Sequence, residues 1–154
     1  MPKETVRTDT APAPIGPYSQ AVRAGDLIFV AGQGCMNPAT GQMERGSIES
    51  ETRQVLENVK AILAAAGASL EQVVKTTCFL ADMNDFQAFN KVYAEYFPSE
   101  PPARTTIQAG RLPGDIRVEV EVVALAERQY TFQPQPVVAT AVQNPAPPRG
   151  EQGD

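Results

Sequence analysis

The chain changes hydrophobic period several times, and each change predicts an element. Asp26-Leu-Ile-Phe-Val-Ala31 is a short apolar run bounded by Gly25 and Gly32, the pattern of a buried strand. The residues that follow, GQGCMNPATGQMERG, supply turn chemistry at Asn37-Pro38 and Gly41. Val55, Leu56, Val59, Ile62, Leu63 and Ala66 then recur at helical spacing and predict a helix over 47–66. Ser47 or Ser50 can cap its start and Gly67 can end it. Ser69-Leu-Glu-Gln72 has the form of a capping box. Val73 to Leu80, rich in Val, Thr and Phe, predicts a core strand.

A second apolar stripe, Phe86, Phe89, Tyr93, Tyr96 and Phe97, predicts a helix over 85–97, capped by Asn84 or Asp85 and stopped by Pro98, Pro101 and Pro102. Asn90 falls inside that stripe, where the ordinary reading is a satisfied buried amide. Strands over 104–110 and 116–127 follow, joined by a Leu112-Pro-Gly-Asp115 turn. The order β-β-(β)-α-β-α-β-β predicts an α+β fold with two helices packed on one face of a mixed sheet. The domain is expected over 15–130. Residues 1–14, polar and proline-bearing, are expected to be a mobile lead-in. Residues 131–154 carry five prolines and no helical period, so an extended or disordered tail is expected.

Composition narrows the chemistry. The 154 residues suit one domain, at 42% hydrophobic and 20% charged. Thirteen basic against 18 acidic residues give a net charge of −5, which argues against a nucleic-acid partner held by phosphate attraction. No apolar run approaches the ~20 residues of a membrane span. The N-terminal MPKETVRTDTAPAP has no signal-like apolar region, so a cytoplasmic location is expected, with Cys35 and Cys78 as free thiols. The absence of histidine removes His-based metal sites and every Ser-His or Cys-His pair. Gly32-x-Gly34 fails as a dinucleotide loop because Asn37 stands where a glycine is needed. Neither a cofactor nor a metal is expected. Catalysis must use Arg, Glu, Asp, Tyr, Lys, backbone groups and water.

The stretch PPARTTIQAGRLPGDIRVEVEVVAL holds the strongest candidates. Strand alternation puts Ile116, Val118, Val120 and Val122 on one face, suited to packing on the helices, and Arg117, Glu119, Glu121 and Val123 on the other. Arg104, Thr106 and Gln108 share a face of the strand expected beside it. Idle surface ion pairs would account for such charges and are worth about 0–1 kcal/mol each. Pro101-Pro102-Ala103, however, is a stiff approach to a residue that needs only solvent. A guanidinium held in place grips a carboxylate through two hydrogen bonds, and a nearby glutamate can position or deprotonate water.

Ile15-Gly-Pro-Tyr-Ser-Gln20, Ala31-Gly-Gln33, Asn37-Pro-x-Thr-Gly41, Val74-Lys-Thr-Thr77, Met83-Asn-Asp-Phe86, Asn90-x-x-Tyr93, Pro102-Ala-Arg104 and Leu112-Pro with Val118-Glu-Val120 occur in this order. Together they resemble the RidA/YjgF family of enamine/imine deaminases over residues 11–128. The resemblance implies a chorismate-mutase-like α+β fold and a homotrimer with active sites in clefts between subunits. It implies that Arg104 holds the substrate carboxylate, Glu119 handles water and Tyr18 is the active-site tyrosine. It also implies that Gly32 and Asn90 line or support the cleft. Thr106 stands where some members carry cysteine; backbone groups there can still meet the ligand, so Thr106 is counted with the substrate-binding residues. The proline-rich tail has no counterpart in compact members.

The implied reaction is hydrolysis of 2-aminoacrylate/2-iminopropanoate and 2-aminocrotonate/2-iminobutanoate to 2-oxo acids and ammonia. This protects pyridoxal-phosphate enzymes from the reactive species that some of them release. Two other functions described for relatives compete with it: a non-catalytic ligand-binding or chaperone-like trimer, and an endoribonuclease. Acidity and the lack of histidine weigh against the nuclease. Retention of Arg104 and Glu119 favours the deaminase over the non-catalytic trimer.

Overall fold

A computed structural model of the chain describes residues 2–127. Its elements are β1 (Glu4–Val6), β2 (Ala21–Ala24), β3 (Leu27–Gln33), α1 (Ile48–Ala65), β4 (Val73–Leu80), α2 (Phe86–Tyr96), β5 (Ala103–Gln108) and β6 (Val118–Leu125). Six strands form one sheet in the order β1-β2-β3-β6-β4-β5. Only the β4–β5 pair is parallel, as a strand–helix–strand crossover through α2 requires. The expected α+β arrangement, a mixed sheet with two helices, is present. No helix among the described residues is long and apolar enough to cross a membrane.

Helix α1 starts where Ser47 Oγ accepts the Ser50 N–H at 3.1 Å, and Gly67 at φ 76° lets the chain turn away after it. Val55, Leu56, Val59, Ile62 and Leu63 are fully buried, packed over Ile28 and Val30 of β3 and Val118, Val120 and Val122 of β6. The Ser69–Gln72 capping box forms on a single 3-10 turn. Helix α2 differs from expectation at its start: Asp82 caps a 3-10 turn over Met83–Asp85, and α2 begins directly from it at Phe86.

Three other expectations are corrected. Residues 1–14 are not a loose lead-in: β1 pairs antiparallel with β2, and Ala11 is buried. The buried Gln20 holds the segment, accepting the Thr8 N–H at 2.7 Å and donating to the carbonyls of Thr8 and Pro12. Arg117 lies before β6, not on its charged face. The 3-10 turn Pro113–Asp115 delays the strand, and Arg117 turns to α1, where its backbone N–H and Nε reach the buried Glu51 carboxylate at 2.8 and 2.6 Å. The strand holding Arg104 is not beside β6, because β4 runs between them. The tail expected over 131–154 lies outside the described residues.

The helices cover one face of the sheet. The other leaves Leu27 and Phe29 of β3, Leu125 of β6 and Ile107 of β5 exposed. Between them lie Lys75 and Thr77 of β4 and Glu121 of β6.

Candidate active site

The Pro101-Pro102 segment delivers the chain to β5, whose register pairs Arg104 with Thr76 and Thr106 with Cys78. Thr76 and Cys78 are buried under the helices, so Arg104 and Thr106 point to the helix side as well. There the Arg104 guanidinium lies 4.7 Å from the centroid of the Tyr93 ring, 5.5 Å from Phe86 and 5.6 Å from Phe89. Helical spacing sets these rings on one stripe, and their faces attract the cation. Tyr93 is fixed in turn by a 2.8 Å hydrogen bond between its hydroxyl and that of Thr76. No carboxylate among the described residues pairs with Arg104, so its hydrogen-bonding fork is free.

Two further groups on this side lack partners. Asn90 Oδ1 and Thr106 Oγ1 are buried with no hydrogen bond among the described residues. The expectation of a satisfied amide at Asn90 therefore fails for its carbonyl oxygen. Such atoms are uncommon in a folded chain and indicate a ligand or water. Burial pushes the neighbouring Cys78 thiol up to about 11 against the opposing effects of its hydrogen bond with Thr76 and the charge of Arg104, so it stays protonated.

Glu119 has a different setting. The β3–β6 register pairs Val30 with Val122 and Gln33 with Val120, so β3 carries one extra residue at Ala31–Gly32. Such a bulge bends a strand and re-aims side chains. Glu119 lies against it: a Cβ at Gly32 would stand 2.2 Å from Glu119 Oε1. The half-buried Glu119 makes no hydrogen bond or ion pair among the described residues. Burial raises its pKa above the ordinary carboxylate value, and the charge of Glu121 raises it further. Tyr18 completes this group. Its hydroxyl accepts the Ile15 N–H at 3.1 Å, which holds the exposed ring at the rim of a cleft lined by Gly32, Glu119, Met36, Met43 and Ile116.

The six candidates thus form two groups, Arg104, Asn90 and Thr106 in one and Tyr18, Gly32 and Glu119 in the other. The strand registers set Arg104 and Glu119 on opposite faces of the sheet. The sequence of 8–126 matches the family model described as Endoribonuclease L-PSP. The chain belongs to the RidA/YjgF family. This family member is 54% identical to a RutC family protein of Pyrococcus horikoshii over 81% of its own length and 99% of the relative. It is 48% identical to the chloroplastic Reactive Intermediate Deaminase A of Arabidopsis thaliana, over 79% of its own length and 65% of the relative. It is 44% identical to a 2-iminobutanoate/2-iminopropanoate deaminase of Dermatophagoides farinae, over 82% and 98%.

Among solved structures, a conserved Rid family protein of Yersinia pestis superposes with TM-score 0.79 at 40% identity, covering 81% of this chain and 100% of that one. TdcF of E. coli, solved with bound serine, superposes with TM-score 0.76 at 39% identity, covering 79% and 98%.

Sequence reasoning missed the platform under Arg104. Phe86, Phe89 and Tyr93 read as a core stripe, and nothing in their spacing distinguishes a ring that packs on apolar neighbours from one that carries a guanidinium. It also missed Met36 and Met43, which lie in turn segments without periodicity, and read Ile116 only as a helix-facing strand residue, whereas Ile116 lies ahead of β6 and lines the cleft.

Proposed function

We propose that this chain hydrolyses 2-imino acids, the tautomers of reactive enamines such as 2-aminoacrylate and 2-aminocrotonate, to 2-oxo acids and ammonia. It does so as a cytoplasmic homotrimer whose sites are shared between subunits. The observation that carries this is the pairing of two unsatisfied groups of opposite charge. Arg104 offers a free, aromatic-backed fork, and Glu119 offers a free carboxylate poised to hold a proton. The apolar uncovered sheet face supports the trimer, because an exposed patch of this kind marks a contact surface. Two buried free thiols fit a reducing compartment.

Arg104 of one copy takes the substrate carboxylate in a bidentate grip. Glu119 of another faces C2 and accepts a proton from water as the water oxygen bonds to that carbon. The C=N electron pair moves to nitrogen, giving a carbinolamine to which the Tyr18 hydroxyl hydrogen-bonds. Glu119 returns its proton to nitrogen, then takes the carbinolamine hydroxyl proton and delivers it to the same nitrogen; as the oxygen forms the C=O bond the C–N bond breaks and ammonia leaves a 2-oxo acid. Holding a reactive species beside an oriented water supplies most of the acceleration. The names of two relatives, and the serine held by TdcF, are consistent with a small carboxylate-bearing ligand. An acidic chain with a single arginine in the Arg104 group favours such a ligand over an RNA strand.

The test is ammonia release from freshly generated 2-iminopropanoate. The protein should accelerate it, and Arg104→Ala should abolish the acceleration while the fold and assembly persist. Saturable binding of 2-oxobutanoate without any acceleration would instead identify a ligand-binding trimer.

A further inference from the structure

The cleft beside Glu119 has a chemistry of its own. It measures about 90 Å³ and lies where β3 ends and β6 begins. Met36, Met43, Ile116, Ile15 and Pro113 line it with apolar surface. Apart from the Tyr18 O–H, which accepts from Ile15 and keeps its proton to donate at the rim, the neutral polar side chains in its wall are already engaged. Gln20 is bonded to the N-terminal segment, and Gln33 donates to the Ala31 carbonyl at 3.1 Å. Glu119 is the one wall side chain left unpartnered among the described residues.

The walls are held from behind. The buried Asn58 side chain donates to the carbonyls of Gly34 and Met36 at 3.0 and 2.8 Å, which fixes the chain as it leaves β3. Met36 and Met43 face each other across an isolated antiparallel bridge. Ile116 packs so closely on Gly34 that a Cβ there would stand 2.6 Å from its Cδ1.

We infer that this cleft is the subsite for the substrate side chain, and that Met36, Met43 and Ile116 select 2-imino acids with apolar chains longer than one carbon. The inference rests on the deaminase reading. A substrate carboxylate cannot enter a chamber whose one unpartnered side chain is itself a carboxylate, so it must point to Arg104. With C2 opposite Glu119, the substituent on C2 then faces the methionines. Their unbranched thioethers adapt to chains of different shape. Each methylene buried should raise kcat/KM by about fourfold until the chamber is full.

Imines generated in place by an amino-acid oxidase from alanine, 2-aminobutyrate, methionine and leucine test this. The leucine and methionine imines should exceed 2-iminopropanoate in kcat/KM by about tenfold or more. A Met36→Ala/Met43→Ala double variant should shrink that ratio several-fold, and Met43→Leu should largely keep it. A flat or falling series in the native protein overturns the inference and leaves the deaminase intact, and this arm does not depend on any variant folding. An unchanged ratio in a folded double variant also overturns the assignment. Calorimetry with pyruvate and 4-methyl-2-oxopentanoate separates the two readings. If no imine is hydrolysed but the longer 2-oxo acid binds more tightly in a methionine-dependent way, the deaminase reading fails and the side-chain subsite stands.

Discussion

Arg104 and Glu119 stand on opposite faces of the sheet. Arg104 is in register with Thr76 of β4, which is in turn in register with Val122, all on the helix side. Glu119 is in register with Phe79, which pairs with Ile107 on the uncovered side. The two rows are three positions apart along β4, about 10 Å. A site that uses both residues must therefore take them from two copies. Mixing Arg104→Ala and Glu119→Gln subunits, each strongly impaired alone, should restore activity, because a mixed trimer holds one site with both native groups. Random reassembly at equal amounts should give about a quarter of native activity. A mixture as impaired as its parents would place the two residues in one site of one chain or remove one of them from the mechanism.

The aromatic platform should act on binding more than on chemistry. Tyr93→Leu removes the ring nearest the guanidinium and should raise KM about tenfold, the worth of a partly desolvated cation–π contact, with a smaller change in kcat. Tyr93→Phe keeps the ring but takes the 2.8 Å Tyr93 partner from the buried Thr76 hydroxyl, leaving only the 3.9 Å contact from Cys78 Sγ. It should restore KM while costing about 1 kcal/mol of stability. Equal KM in the Leu and native proteins would show that the proline-stiffened backbone alone positions Arg104.

Local pattern was legible where one element decides it. The α1 stripe, a serine cap at its start (Ser47 of the two candidates), the Gly67 stop and the alternation of Val118, Val120 and Val122 against Glu119 all follow from neighbours close in sequence. The relation between β5 and β6 did not. Alternation assigns residues to one of two faces within a strand, but the face of the sheet is fixed by which strands pair and in what register. Here β4 intervenes, and the crossover through α2 sets Arg104 toward the rings. Arg117 was misread for a similar reason: a 3-10 turn, set by Gly114 at φ 69°, moves the strand start past it and frees it to meet Glu51 on α1. The bulge at Ala31–Gly32 was equally hidden, since only pairing with β6 reveals an extra residue.

The pKa of Glu119 gives a signed pH dependence. Burial and Glu121 both favour the protonated form, so acidification removes the working base at a higher pH than for an ordinary carboxylate. The acid limb of kcat/KM, which reports the free enzyme, should have its half-point above the usual carboxylate range. Glu121→Gln removes the second cause and should move that half-point down, with trimer mass checked by sedimentation. Glu119→Gln should remove the limb and slow turnover. A limb that Glu121→Gln leaves in place would assign it to another group.

Gly32 should matter through Glu119 alone. Its φ lies outside the left-handed region, so alanine is acceptable to the backbone there. The conflict is with the carboxylate, whose Oε1, Cδ and Cγ would lie 2.2, 2.9 and 3.2 Å from the new Cβ. The flexible end of Glu119 can swing away, so Gly32→Ala should fold with a melting temperature near that of the native protein. Its kcat should fall by about a hundredfold, the lower range for a displaced general base. Adding Gly32→Ala to Glu119→Gln should then cost little more, because two changes that disable one group are not additive. If the losses multiply instead, Gly32 has a second role independent of Glu119, such as backbone contact with the bound substrate.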